Sequence, residues 1–83
     1  MRILEDLERF LLTEIAVDFG KESLDPDEDL LEQGIIDSMG VMTLVTFMEE
    51  TFGIEIAEED IVPENFQNLN SMVKFIEQKM RIK

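Results

Sequence analysis

"GIIDSMG", residues 34–40, sets an Asp-Ser pair between an acidic loop and the most apolar helix-like run of the chain. Asp37 is a good N-cap, because a short carboxylate can accept from the unpaired amides of a first helical turn. After it, Val41, Leu44, Val45, Met48 and Phe52 recur at helical spacing until Gly53 stops the run. This predicts a second helix over about Ser38 to Thr51. Met39, Met42 and Thr46 form another stripe on the same helix, and a helix at the edge of a small bundle can bury only one. Two readings stay open for them: core filler, or an adaptable docking surface beside Ser38. Ser38 has two readings as well. It can be ordinary capping chemistry, or a hydroxyl at a helix start, where backbone N–H groups and the dipole favour an attached phosphate.

On the N-terminal side, Leu4, Leu7, Leu11 and Ile15 follow helical spacing and predict helix one from Ile3 to Val17, closed at Phe19-Gly20. A long loop from about Gly20 to Asp37 follows, with the acidic run 25–29, a turn at Gly34 and apolar anchors Leu30, Leu31, Ile35 and Ile36. The alternating acids do not make a calcium loop. Leu30 stands where glycine is needed and Ile36 where the bidentate glutamate is needed. On the C-terminal side, Glu58 to Val62 is expected to form a short helix stopped by Pro63. Asn68 is expected to cap a last helix whose buried stripe is Leu69, Met72, Val73, Ile76 and Met80. The expected fold is therefore all-α. It is a small four-helix bundle of three longer helices and one short third helix, with the long loop between helices one and two and residues 1–83 forming one domain.

Composition narrows the function. The 83 residues carry 20 acidic against 7 basic side chains, a formal charge of −13, so basic protein partners are expected and nucleic acid is not. Neither cysteine nor histidine occurs. There is thus no thiolate, no cysteine zinc site and no Ser-His hydrolytic pair, and no metal site or catalytic residue is assigned. The first residues lack the pattern of a secretory leader, and membrane insertion is not expected. A cytoplasmic monomer is the expectation.

"DLLEQGIIDSMGVMTLVTFMEETFGIEIAEEDI", residues 29–61, resembles the acyl carrier and peptidyl carrier protein superfamily. The shared constellation is a leucine-anchored acidic loop, Gly34 three residues before Asp37-Ser38, and a helix ending in Glu-Glu-x-Phe. Ile54-x-Ile56 and an acidic short helix complete it. The resemblance implies a carrier rather than an enzyme. Ser38 aligns with the serine that receives 4'-phosphopantetheine, covalently, from coenzyme A through a phosphopantetheinyl transferase, and Asp37 with the aspartate that assists that transfer. An acyl or aminoacyl group then rides as a thioester on the thiol of the arm. Further partners implied are an acyl- or amino-acid-activating ligase or acyltransferase, and downstream biosynthetic enzymes. The expected partner-facing residues are Met39, Met42, Thr43, Thr46, Glu49, Glu59 and Asp60.

One departure bears on cargo. Carriers of fatty acid synthesis usually place acids two and five residues after the serine, where this chain has Gly40 and Thr43. The "DSMG" form is similar to stand-alone D-alanyl and aminoacyl carriers, which favours an amino acid or specialised acyl group over growing fatty acyl chains. The competing reading from another class is an unmodified acidic helical adaptor for a basic partner, in which Ser38 only caps.

Overall fold

The computed structural model describes residues 3–16, 20 and 23–82. Among them every regular element is helical. Helix α1 spans Ile3–Phe10 and runs on as a π turn, Leu11–Ile15. Helix α2 is Ser38–Phe52, a 3₁₀ turn covers Glu58–Asp60, α3 is Pro63–Phe66 and α4 is Leu69–Ile82. The expected four-helix architecture, with three longer helices, a short third one and a long loop after the first, is the one observed.

Helix α1 buries the expected stripe at Leu7 and Leu11, but Ile3 takes the place expected of Leu4. Ile3, Leu7 and Leu11 are buried, whereas Leu4 is exposed and Ile15 half-buried. The π turn, closed by Ala16 N donating to Leu11 O at 2.6 Å, adds a residue to the last turn and buries Ala16 beside Leu11. Val17 and Phe19, expected at the end of helix one, lie outside the described residues. Gly20 has the positive φ of 64° that the expectation required of it.

The loop before α2 is fastened at several points, which is why it can present Ser38 in one place. Leu24 N donates to Glu8 Oε2 of α1 at 2.8 Å, and Leu30 N donates to Gln67 O at 2.7 Å. Asn70, in the first turn of α4, donates through its side chain to Asp27 Oδ1 at 2.6 Å and through its backbone to Pro26 O at 3.1 Å. Leu30, Ile35 and Ile36 are buried as expected, while Leu31 is only half covered.

Helix α2 buries Gly40, Leu44, Val45 and Met48, with Val41 and Phe52 packed half-buried against that core. Gly53 ends it at φ 65°, a left-handed conformation that costs glycine little, and its amide donates to Glu49 O at 3.0 Å. In α4, Asn68 Oδ1 accepts from Ser71 N at 2.8 Å, the expected cap. Leu69, Met72 and Ile76 are buried, together with Phe75, which the expected stripe omitted. Val73 is half-buried, and Met80 lies exposed near the helix end.

The segment between α2 and α4 corrects one expectation. Glu58–Asp60 is a single 3₁₀ turn, and the short helix begins at Pro63 instead of ending before it. A proline at the first helical position loses no hydrogen bond, since that N–H has no helical acceptor, and its fixed φ suits the helix. The correction places Phe66 in the core at 1% exposure and sets it against Phe75, with the rings tilted by 57° and their centroids 5.8 Å apart.

Candidate functional site: an exposed serine at the start of helix α2

Ser38 is the first residue of α2 and is exposed. Asp37 stands before it in extended backbone, and its Oδ1 accepts from Gly40 N at 2.8 Å while its carbonyl accepts from Val41 N at 2.9 Å. The cap is therefore Asp37, as expected. The Ser38 side chain makes no capping bond, so its hydroxyl stands at the positive end of the helix without a structural task there.

Two depressions meet at this residue. A groove of about 340 Å³ runs from Ser38 and Asp37 between α2 and the segment leading into α3, walled by Leu31, Val41, Met42, Ile61, Val62 and Phe66. Its lining is almost wholly apolar, and no polar or charged residue is buried among the described residues. A second, shallower depression of about 480 Å³ lies on the outer face of α2, formed by Ser38, Met39, Met42, Thr43 and Thr46. Met39 is 78% exposed and Met42 54%, so the second stripe of α2 is not core filler.

The two threonines make that face more apolar than their names suggest. Thr43 Oγ1 donates to Met39 O at 3.0 Å and Thr46 Oγ1 to Met42 O at 3.3 Å. With each hydroxyl turned back onto the helix, as threonine often does four residues on, what remains outward is largely methyl.

The acidic members of the expected partner face behave differently from one another. Glu59 is exposed in the 3₁₀ turn. Glu49 is half-buried, and its Oε2 accepts from Ile56 N at 3.0 Å, tying the end of α2 to the chain beyond Gly53. Asp60 Oδ2 accepts from Ala57 N at 3.0 Å and pairs with Lys79 of α4. The hydrogen bond from Lys79 and then that from Ala57 hold the Asp60 carboxyl below its ordinary value. Glu49, Glu59 and Asp60 line neither depression. The structure thus brings together Asp37, Ser38, Met39, Met42, Thr43 and Thr46, and leaves the three acids apart. Leu31, Ile61, Val62, Phe66 and Lys79 were absent from the sequence-based site. They come from separate segments whose approach no local spacing signals.

Comparison with known proteins decides the family. The family profile described as "Phosphopantetheine attachment site" matches residues 9–76. The chain belongs to the phosphopantetheine-attachment family of carrier proteins. The carrier is 34% identical over 74 residues to "Probable acyl carrier protein PigG" of Serratia sp. (strain ATCC 39006), covering 86% of this chain and 85% of that one. It is 29% identical to "Acyl carrier protein" of Solidesulfovibrio magneticus (strain ATCC 700980 / DSM 13731 / RS-1), over 95% of this chain and 96% of the relative. "D-alanyl carrier protein" of Streptococcus pyogenes serotype M5 (strain Manfredo) is 29% identical over 63% of this chain and 66% of its own. Among solved structures, a chain in one titled "Crystal structure of FAD-dependent dehydrogenase" superposes with a TM-score of 0.74 at 30% identity. That likeness covers 84% of this chain and 97% of the other.

The carrier is accordingly a protein of a non-enzymatic family, and its prosthetic group is covalently attached phosphopantetheine. The residues present suit such a group. There is an exposed hydroxyl at a capped helix start, an apolar groove opening at the same residue, and no cysteine to compete with the thiol that the arm supplies. Carriers of this kind work with phosphopantetheinyl transferases and biosynthetic enzymes. Among the described residues, no helix is long and apolar enough to cross a membrane.

Proposed function

We propose that Ser38 is the attachment residue and that residues 1–83 act as one carrier domain, a cytoplasmic monomer delivering a thioester-bound acyl or aminoacyl group to its partners. The observation that carries this reading is the division of labour between neighbours: Asp37 caps α2, which leaves the Ser38 hydroxyl exposed at the meeting point of two apolar depressions. Ser38 Oγ attacks the phosphorus that carries the pantetheine in coenzyme A and forms the phosphoester as the pyrophosphate P–O bond breaks and adenosine 3',5'-bisphosphate leaves; the serine proton passes to a base on the transferase, since this chain has no histidine to take it. Asp37 keeps its second carboxylate oxygen for the transfer complex while Oδ1 holds the cap. Incubation with coenzyme A, magnesium and a broad transferase, followed by intact mass, tests this directly. One phosphopantetheine on the wild type and none on Ser38→Ala is the expected result; modification of the Ala variant at another serine defeats it.

The outer face of α2 serves as the docking surface, with Met39, Met42 and the methyls of Thr43 and Thr46 giving apolar contact. Glu59 and its exposed neighbours steer basic partners from the side. This pattern, with Gly40 and Thr43 in place of acids, favours loading by an adenylating ligase over fatty acid synthesis, and the likeness to a D-alanyl carrier supports it. The groove adds a preference for cargo with an apolar body, because an unpaired ammonium placed among Leu31, Val41 and Phe66 would be costly to desolvate. Efficient malonyl loading and elongation by a reconstituted fatty acid synthase counts against this cargo class.

One further partner is supported by a specific observation. One solved chain that resembles this one is covered over 97% of its length by 84% of this small chain, so it is itself of carrier size, and the structure's title names an FAD-dependent dehydrogenase. A flavoenzyme that withdraws a hydride and a proton from the carried acyl group, reducing its FAD, is therefore a candidate partner. Bleaching of the flavin absorbance on mixing with the loaded carrier tests it, and an unchanged flavin spectrum with each cargo overturns it.

A further inference from the structure

The groove beside Ser38 has one wall made of very little regular structure. Between Gly53 and the start of α4 the chain holds one 3₁₀ turn and a four-residue helix, and the residues facing the groove, Ile61 and Val62, follow directly on Asp60. A segment with so few backbone hydrogen bonds opens more readily than the helices on either side. Within residues 57–63 the bonds that involve a side chain centre on Asp60. Its carboxylate closes the 3₁₀ turn onto Ala57 N, its carbonyl accepts from Asn65 Nδ2 at 2.7 Å, and its side chain is paired with Lys79. Lys79 reaches from the last turns of α4, its ammonium 5.9 Å from the centre of the Phe75 ring, and each partner of the pair is only 23% exposed.

We propose that Lys79 is a positioning residue for the groove: acting through Asp60, it straps the segment 57–63 to α4 and so sets how far the wall formed by Ile61 and Val62 stands from Val41 and Met42. The biological meaning rests on the reading of Ser38 as the attachment residue, since only a group attached there would enter this groove. Asp60 is then not a free docking carboxylate. A partner cation that takes hold of it must displace Lys79, and in doing so loosens the wall next to the carried group. Docking at this acid and access to the cargo are thereby coupled through one ion pair.

The absence of cysteine supplies a direct test that needs no transferase. In Ser38→Cys the single thiol is alkylated with an apolar, environment-sensitive naphthalene fluorophore, and the labelled protein is compared with its Lys79→Met and Lys79→Arg counterparts. Methionine keeps an apolar stem against Phe75 while removing the charge; arginine restores the charge. The emission maximum is expected to move to longer wavelength in Lys79→Met and to return in Lys79→Arg. In unlabelled apo protein, amide hydrogen exchange over residues 57–66 is expected to quicken about fivefold in Lys79→Met, the scale of losing one partly covered ion pair, with α2 unchanged. Identical emission with and without the Lys79 charge overturns the proposal, and so does exchange that quickens evenly through α1, α2 and α4. Because the probe is attached chemically, neither result depends on whether Ser38 accepts phosphopantetheine, which the mass experiment above decides separately.

Discussion

The carboxylate of Asp37 reaches past Ser38 to the amide of Gly40, with Oδ1 accepting from Gly40 N at 2.8 Å. The hydroxyl-bearing residue is thus held between the two ends of a cap without being part of it. Gly40 permits the close fit: a Cβ there would stand 3.3 Å from Ile36 Cγ2, 3.5 Å from Asp37 Oδ1 and 3.7 Å from Ile15 Cγ2. Gly40 therefore also serves the packing of the π turn after α1 and of the loop against the start of α2.

This relationship separates two substitutions at adjacent positions. Asp37→Ala should cost about 1 kcal/mol through loss of the cap and should also slow transfer to Ser38. Ser38→Ala should change stability by well under ~1 kcal/mol and abolish transfer. Thermal melts alongside mass-detected modification check both, and a large fall in melting temperature for Ser38→Ala would reassign the hydroxyl to the fold.

The two sides of α2 make opposite demands. Leu44 is fully buried, so Leu44→Ala should cost roughly 2–5 kcal/mol by leaving a cavity. Phe52 is half-buried and meets Phe47 edge-on with centroids 6.0 Å apart, so Phe52→Ala should fall near the lower end of that range. Met42→Ala and Thr46→Glu should leave stability within about 1 kcal/mol of wild type while lowering partner affinity or loading rate. Denaturant melts and ligase kinetics on the four variants distinguish a docking face from a core face.

Glu49 should act on stability more than on docking. Its bond to Ile56 N is charge-assisted and half-buried, so Glu49→Ala should cost about 1–2 kcal/mol, whereas Glu59→Ala, at an exposed position, should stay within about 0.5 kcal/mol. Equal and small losses in urea titrations of the two variants would return Glu49 to the partner face.

The Asp60–Lys79 pair carries a pH signature of defined sign. Because the carboxyl is held below its ordinary value in the fold, its contribution is fully present above the unfolded aspartate pKa of about 3.9 and is lost as pH falls through the lower folded value. Melting temperatures of wild type and Lys79→Met should differ at neutral pH and converge only in the acid range beneath that value. A difference that persisted unchanged in strong acid would mean that Lys79 acts through packing on Phe75 alone.

Much of the fold was legible in residue order because it depends on local rules. Helical spacing located α1, α2 and α4, the Asp37 and Asn68 caps were readable from side-chain chemistry, and Gly53 marked a stop that only a left-handed residue makes easily. The short third helix was misplaced because proline reads as a stop from the N-terminal side and as a start from the C-terminal side. Only the burial of Phe66 against Phe75 shows which applies here. That Ile3 and not Leu4 joins Leu7 and Leu11 in the core likewise follows from where the core lies, since both positions fit helical spacing.

The sequence by itself determined the class of the protein: a constellation centred on Asp37-Ser38, an acidic surface, and the absence of histidine and cysteine, which leaves no Ser-His or Cys-His pair to be built. The tertiary structure alone decided which side chains face outward and which are already engaged. Met39 and Met42 are exposed because Leu44, Val45 and Met48 occupy the single face of α2 that the bundle can cover. Glu49 and Asp60 look in composition like free docking acids, yet one holds a backbone amide and the other a lysine 19 residues further along the chain. The groove arises from three separate segments brought together by packing, and residue order alone carries no signal for such a meeting because no term in local propensity depends on it.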